Sequence, residues 1–91
     1  MKKSTGSVSG YAPEIDLHAL TVDEAIPRLD DFLYEAYAAG WTQVRVIHGK
    51  GTGVLKLETR RYLAHHSLVR RCNDADSFHG GSGATEVWLK G

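Results

Sequence analysis

The chain has 91 residues, 42% of them hydrophobic and 24% charged, a composition that makes one small domain of ordinary soluble character. No apolar run nears the roughly 20 residues a membrane helix needs, nothing resembles a signal peptide, and the single cysteine, Cys72, excludes an internal disulfide framework, so a cytoplasmic location is expected. The formal net charge of zero hides an asymmetry: residues 11–40 hold seven acidic side chains against Arg28 alone (net −6), and residues 41–72 hold seven basic ones against Glu58 alone (net +6). The basic stretch either meets a polyanion or pairs with the acidic half, and composition does not choose between them.

Residues 1–10, small and polar with nothing to bury, read as a disordered lead-in, either a linker or an appended remnant, and residues 11–91 as the domain. Glu14-Ile15-Asp16-Leu17-His18 alternates and reads as a strand buried on one face, with Ile15 and Leu17 inward and Glu14, Asp16 and His18 on the other side. Thr21 with Glu24 forms a capping box for a helix whose apolar stripe is Val22, Ala25, Ile26, Leu29, Leu33, Ala36 and Tyr37. Pro27 predicts a bend or a solvent-facing gap, and Gly40 ends the helix. A second strand is expected over Gln43–Ile47, and a second helix over Val54 to about His65 with Leu55, Tyr62 and Leu63 inward. Strands over Leu68–Cys72 and Thr85–Lys90 follow, separated by the turn-rich loop 73–84. The order βαβαββ predicts an α/β sandwich: a four-stranded mixed sheet with both helices on one face and the other face open.

The strongest functional signal is His48-Gly49-Lys50-Gly51-Thr52-Gly53, between a strand's carboxyl end and a helix. Its glycines let backbone amides converge on an anion, the helix start adds unsatisfied N–H groups, and Lys50 adds a cation, a combination suited to phosphate. It is neither a Walker loop nor G-x-G-x-x-G. Asp16 and His18 lie near the carboxyl end of the first strand; if the first two strands are parallel neighbours, they approach this loop and, with His48, supply acid, base or metal-ligand groups. Gly81 and Gly83 offer further backbone donors, or only a permissive hairpin. Trp88 is a base-stacking platform if it falls on the open face and core cover otherwise. His65, His66 and His79 read as solvated.

Ile15-Asp16-Leu17-His18-Ala19-Leu20-Thr21 with Glu24-Ala25 resembles the L-D-L-H-G-L-T/S motif of the small MutS-related (Smr) domain. His48 to Lys56 is similar to that family's H-G-x-G-x-G-x-L-R, and Gly80 to Leu89 to its G-G-x-G-A-T-x-V-x-L. The resemblance covers residues 14–90 and implies a sandwich like the C-terminal domain of initiation factor three. It also implies binding of DNA, including branched DNA, nicking assisted by a divalent metal such as Mg or Mn, and membership of a longer chain, the second bacterial MutS paralogue. That paralogue is linked to suppression of recombination and to collided ribosomes, so a non-catalytic DNA- or rRNA-binding module of a larger ATPase is the alternative. By matching positions, Asp16, His18 and His48 are the catalytic candidates, with Asp16 and His18 the best metal candidates. Gly49, Lys50, Gly51, Thr52, Gly53, Arg45, Lys56, Arg61, Gly81 and Gly83 are the phosphate and nucleic-acid candidates. Two positions depart from the pattern. Ala19 replaces a glycine, so a positive φ there is costly, and Lys56 replaces an arginine, losing the bidentate fork. A small-molecule phosphate site is the weakest alternative, since the basic stretch 45–71 favours a polymer.

Overall fold

A computed structural model describes residues 12–91; the lead-in 1–10 lies outside them. The elements follow the expected order: β1 (Glu14–Asp16), α1 (Val22–Ala38), β2 (Gln43–Ile47), α2 (Val54–Ala64), β3 (Val69–Asp74) and β4 (Ala84–Leu89). They form one sheet of order β1-β2-β4-β3, in which β1 and β2 are parallel and β4 runs antiparallel to β2 and β3. Two short 3₁₀ turns, Ser77–His79 and Gly81–Gly83, occupy the loop before β4. None of the described helices is long and apolar enough to cross a membrane.

α1 starts where its chemistry dictates. Thr21 Oγ1 accepts from Glu24 N–H at 3.2 Å, and Glu24 Oε1 accepts from Thr21 N–H at 3.0 Å, closing the capping box. Pro27 faces solvent and the helix runs through it. Ala25, Leu29, Leu33 and Ala36 bury against Leu17, Val44, Val46, Val87 and Leu89 of the sheet and Leu63 of α2, which places both helices on one face. Each fully buried leucine contributes roughly 1.5–3 kcal/mol of apolar burial. Tyr37, expected in the stripe, is 46% exposed, while Phe32 and Trp41 pack against the core. Thr59 of α2 is also fully buried.

Three strands differ from their predicted spans: β4 is offset by one residue, Ala84–Leu89 in place of Thr85–Lys90, and β1 and β3 differ for local reasons. β1 stops at Asp16 because the Asp16 carboxylate takes the His18 N–H (3.0 Å), drawing the backbone out of the ladder after Leu17 N–H reaches Ile47 O at 2.7 Å. β3 begins one residue late and runs to Asp74, with Asn73 and Asp74 opposite Glu86 and Thr85 and a register shift between Val69 and Arg71. The face away from the helices is not bare. Arg45 pairs with Glu14 (2.6 Å) and Glu86 (2.5 Å), and Gln43 donates to Glu86 at 3.2 Å.

Candidate functional site

Because β1 and β2 are parallel, their carboxyl ends share one edge of the sheet, and the segments leaving them touch there. His18 Nδ1 lies 2.6 Å from Asp16 Oδ1, and both side chains are exposed. A carboxylate on Nδ1 fixes the imidazole's orientation and leaves Nε2 facing outward without a partner among the described residues. The hydrogen bonds from His18 hold the Asp16 carboxyl below its ordinary value, so it is ionised at neutral pH. A carboxylate behind an imidazole with a free second nitrogen is the arrangement of a general base. The turn carrying His18 includes Ala19 at φ 67°, the one described non-glycine residue in the left-handed region. That conformation costs a non-glycine residue roughly 1–2 kcal/mol, partly offset by glycine's greater unfolded freedom. Ala19→Gly is therefore expected to raise stability by about 0.5–1 kcal/mol, read from the urea midpoint at unchanged slope.

The glycine loop forms the facing wall. Gly49 has φ 77°, and a Cβ there would sit 3.3 Å from His18 Cβ, so the two segments pack closely at this point. Gly53 caps α2 at φ 89° with no side-chain bond, and the first main-chain bond into the helix is from Leu57 N–H to Gly53 O. A concavity of about 150 Å³ lined by Ala19, Leu20, His48 to Gly53, Leu55 and Lys56 lies at this helix start, where main-chain amides lack partners within the helix. Thr52 Oγ1 only grazes Val54 N–H at 3.4 Å, leaving the hydroxyl available.

His48, expected among the catalytic residues, is 4% exposed and braces this wall. Its Nδ1 lies 2.9 Å from Gly49 O, which can only accept, so Nδ1 carries the hydrogen and Nε2 accepts from the buried Thr85 hydroxyl at 2.8 Å. Burial pushes the imidazole's pKa down, so it stays neutral and bonded on both sides. Gly83 does related work: its carbonyl accepts from His48 N–H (3.1 Å) and Gly49 N–H (2.9 Å), and its Cα side faces the Lys50 methylenes. Gly81 lies in the same turn, at φ 53°.

The cations divide sharply. Lys50 is exposed and has no ion-pair partner among the described residues. Lys56 and Arg60 both reach Asp74, at 3.2 and 2.8 Å, and Arg61 pairs with Glu58 at 3.1 Å. Arg45 sits between two carboxylates on the sheet face, away from the glycine loop. Much of the basic stretch is thus met by acids that lie within it, follow it or face it across the sheet. Trp88 does fall on that face, but the Arg71 guanidinium lies over its ring at 4.1 Å.

A larger concavity, about 560 Å³, lies between the helices and was not anticipated. His66, read as solvated, is buried there: its Nε2 bonds Asp30 at 2.9 Å and its Nδ1 accepts from Leu68 N–H at 3.1 Å. Tyr62 Oη donates to the same Asp30 at 2.5 Å, and burial beside that carboxylate pushes its pKa up to about 12. These groups satisfy one another. His65 and His79 are exposed, as expected.

Among the described residues, no group of three or more His, Cys, Asp or Glu side chains converges to hold a metal ion. Asp16 and His18 supply two donors, and two of their atoms are already bonded to each other. The described residues do not make a protein-built metal cage.

Residues 15–90 match the Smr domain family. The "Endonuclease MutS2" of Thermomicrobium roseum is 42% identical over 87 residues, covering 96% of this chain and 11% of that protein. The crystal structure of the Smr domain of Thermus thermophilus MutS2 superposes with a TM-score of 0.85 at 41% identity, covering 88% of this chain and all of that one. YdaL, a stand-alone small MutS-related protein from Escherichia coli, gives 0.84 at 30% identity, covering 90% of this chain and 70% of that one. The chain therefore spans about a tenth of the length of the MutS2 relatives it matches.

Proposed function

The chain belongs to the Smr domain family, and from the packing of the Asp16–His18 pair against the glycine loop we propose that it binds nucleic acid by its phosphates and nicks DNA. The observation that carries this reading is a base with its partner placed beside an anion cradle: His18 Nδ1 on Asp16 at 2.6 Å, and His18 Cβ against Gly49. In the proposed reaction the loop amides and Lys50 hold the scissile phosphate and offset charge on its non-bridging oxygens. His18 Nε2 takes a proton from water as the water oxygen bonds to phosphorus. The P–O ester bond then breaks, and the leaving oxygen is protonated by solvent. Asp16 compensates the imidazolium formed on the way. Working within a longer cytoplasmic chain, such a module would cut branched intermediates and so suppress recombination.

Phosphate contact is tested by salt-dependent binding. Lys50→Ala is expected to lower affinity for duplex DNA several-fold in low salt and to reduce the slope of log K against log salt by about 0.9, one phosphate contact. Arg45→Ala is expected to leave the slope unchanged, because Glu14 and Glu86 already hold that charge. An unaltered slope in the Lys50 variant rules out the cradle as the phosphate contact.

A further inference from the structure

We propose that Phe78 is a stacking residue that selects nucleic acid with unpaired bases beside the scissile phosphate; this rests on the phosphate-contact reading above. Phe78 is 93% exposed, by far the most open large hydrophobic side chain among the described residues. A single exposed apolar side chain is unremarkable by itself. What distinguishes this one is that its backbone is fixed and that the segment fixing it also builds the site.

The Asp76 carboxylate accepts from Phe78 N–H at 2.9 Å and lies 2.7 Å from His79 Nδ1. The Asp76 carbonyl accepts from His79 N–H and Gly81 N–H, both at 2.9 Å. Ala75, buried just before the turn, donates to Ala84 O at 3.0 Å and anchors the segment to the start of β4. The ring is thus held out on a formed 3₁₀ turn.

Five residues further on, Gly83 holds His48 and Gly49 by their amides and faces the Lys50 side chain. Five residues span at most about 17 Å extended and roughly 10 Å in 3₁₀ turns. Along one strand, 10 Å is about three nucleotide steps. Phe78 therefore lies no more than about five nucleotide steps from Gly83, a distance that one strand can bridge.

The ring's chemistry then sets what it reads. Phosphate and sugar offer an aromatic face little, and a continuous duplex keeps its base faces stacked. An unpaired base at a branch, gap or single-stranded end exposes a π-face, and stacking on it tolerates any sequence. The carboxylates flanking the turn are already engaged, Asp74 with Lys56 and Arg60, and Asp76 with His79.

The test is binding of wild type, Phe78→Ala, Phe78→Trp and Lys50→Ala to a continuous duplex and to the same duplex carrying a three-way branch. The alanine variant is expected to lose roughly five- to a hundredfold affinity for the branched substrate, to bind the duplex within twofold of wild type, and to melt as wild type does. Phe78→Trp is expected to restore branched binding. Equal loss on both substrates, or no loss on either, overturns the proposal. The Lys50 variant keeps the two readings apart: it is expected to weaken on both substrates, and if it does not, the phosphate reading fails whatever Phe78 does.

Discussion

Replacing His18 by alanine is expected to lower the rate of plasmid nicking by at least about a hundredfold, the usual worth of a positioned general base, while DNA affinity changes by no more than two- to threefold. The geometry separates the two quantities. In the proposed mechanism binding draws on the loop amides and Lys50, whereas His18 offers only Nε2, an atom that would act when a proton moves. Asp16→Asn keeps an oxygen for the His18 amide and ring but removes the charge that compensates the imidazolium. It should therefore lose rate by a similar order, again with affinity retained. Both side chains are exposed, so stability should move by no more than about 0.5 kcal/mol. Nicking that survives both substitutions, in protein free of contaminating nuclease, leaves a binding module without chemistry. Nicking that depends on added divalent metal in every variant would assign the water's activation to an ion carried with the substrate rather than to His18.

Gly80→Ala is expected to be the most damaging substitution in the glycine-rich turn before β4, at about 3 kcal/mol. Gly80 has φ 113°, and a Cβ there would lie 2.7 Å from the Cβ of Ala84, a buried residue fixed in β4 opposite Ile47. Left-handed strain of roughly 1–2 kcal/mol and overpacking of roughly 1–3 kcal/mol add at one position. For a domain of this size that lowers Tm by roughly 15 °C. Gly81→Ala meets open space and bears only the backbone strain at φ 53°, about 1 kcal/mol. At Gly83 a Cβ makes ordinary contacts of 3.4–3.7 Å with Lys50 and Gly49, so alanine there should be tolerated in stability. Since Gly80 O accepts from Gly83 N–H, and Gly83 O holds His48 and Gly49, the Gly80 variant should also lose DNA affinity through the displaced loop. Thermal melts of the three variants give the ranking directly. A Gly80 variant as stable as the other two contradicts it.

What the sequence made legible was the part governed by near neighbours. Thr21 and Glu24 specify the start of α1 by bonding each other, and alternation in Glu14–Leu17 and Gln43–Ile47 assigns each residue to a face once a strand is granted. The meeting of Asp16, His18 and the glycine loop followed from one assumption, parallel β1 and β2, which the sheet bears out. Features set by register across the sheet stayed hidden. Arg45 counted as a basic residue because nothing in its own segment reveals that Glu14 and Glu86 face it from either neighbouring strand. His66 looked like a helix-end residue, yet Asp30, thirty-six positions earlier, lies against its ring. His48 carries the most suggestive motif position in the chain, and burial beside Thr85 turns it from a reactive group into a brace. Ala19 shows the reverse: the departure from glycine flagged a backbone cost, and the chain adopts the left-handed conformation despite it.

In the proposed site, phosphate is held where the glycine loop meets α2, beside Asp16 and His18. Amide chemical-shift mapping tests it most directly, by titrating the ¹⁵N-labelled domain with a short branched DNA. The largest shifts are predicted at Gly49, Lys50, Gly51, Gly53 and Leu55, with His18 following. Shifts confined to Arg71 and Trp88 on the sheet face, or to Asp30, Tyr62 and His66 between the helices, with the glycine loop silent, would place the phosphate elsewhere.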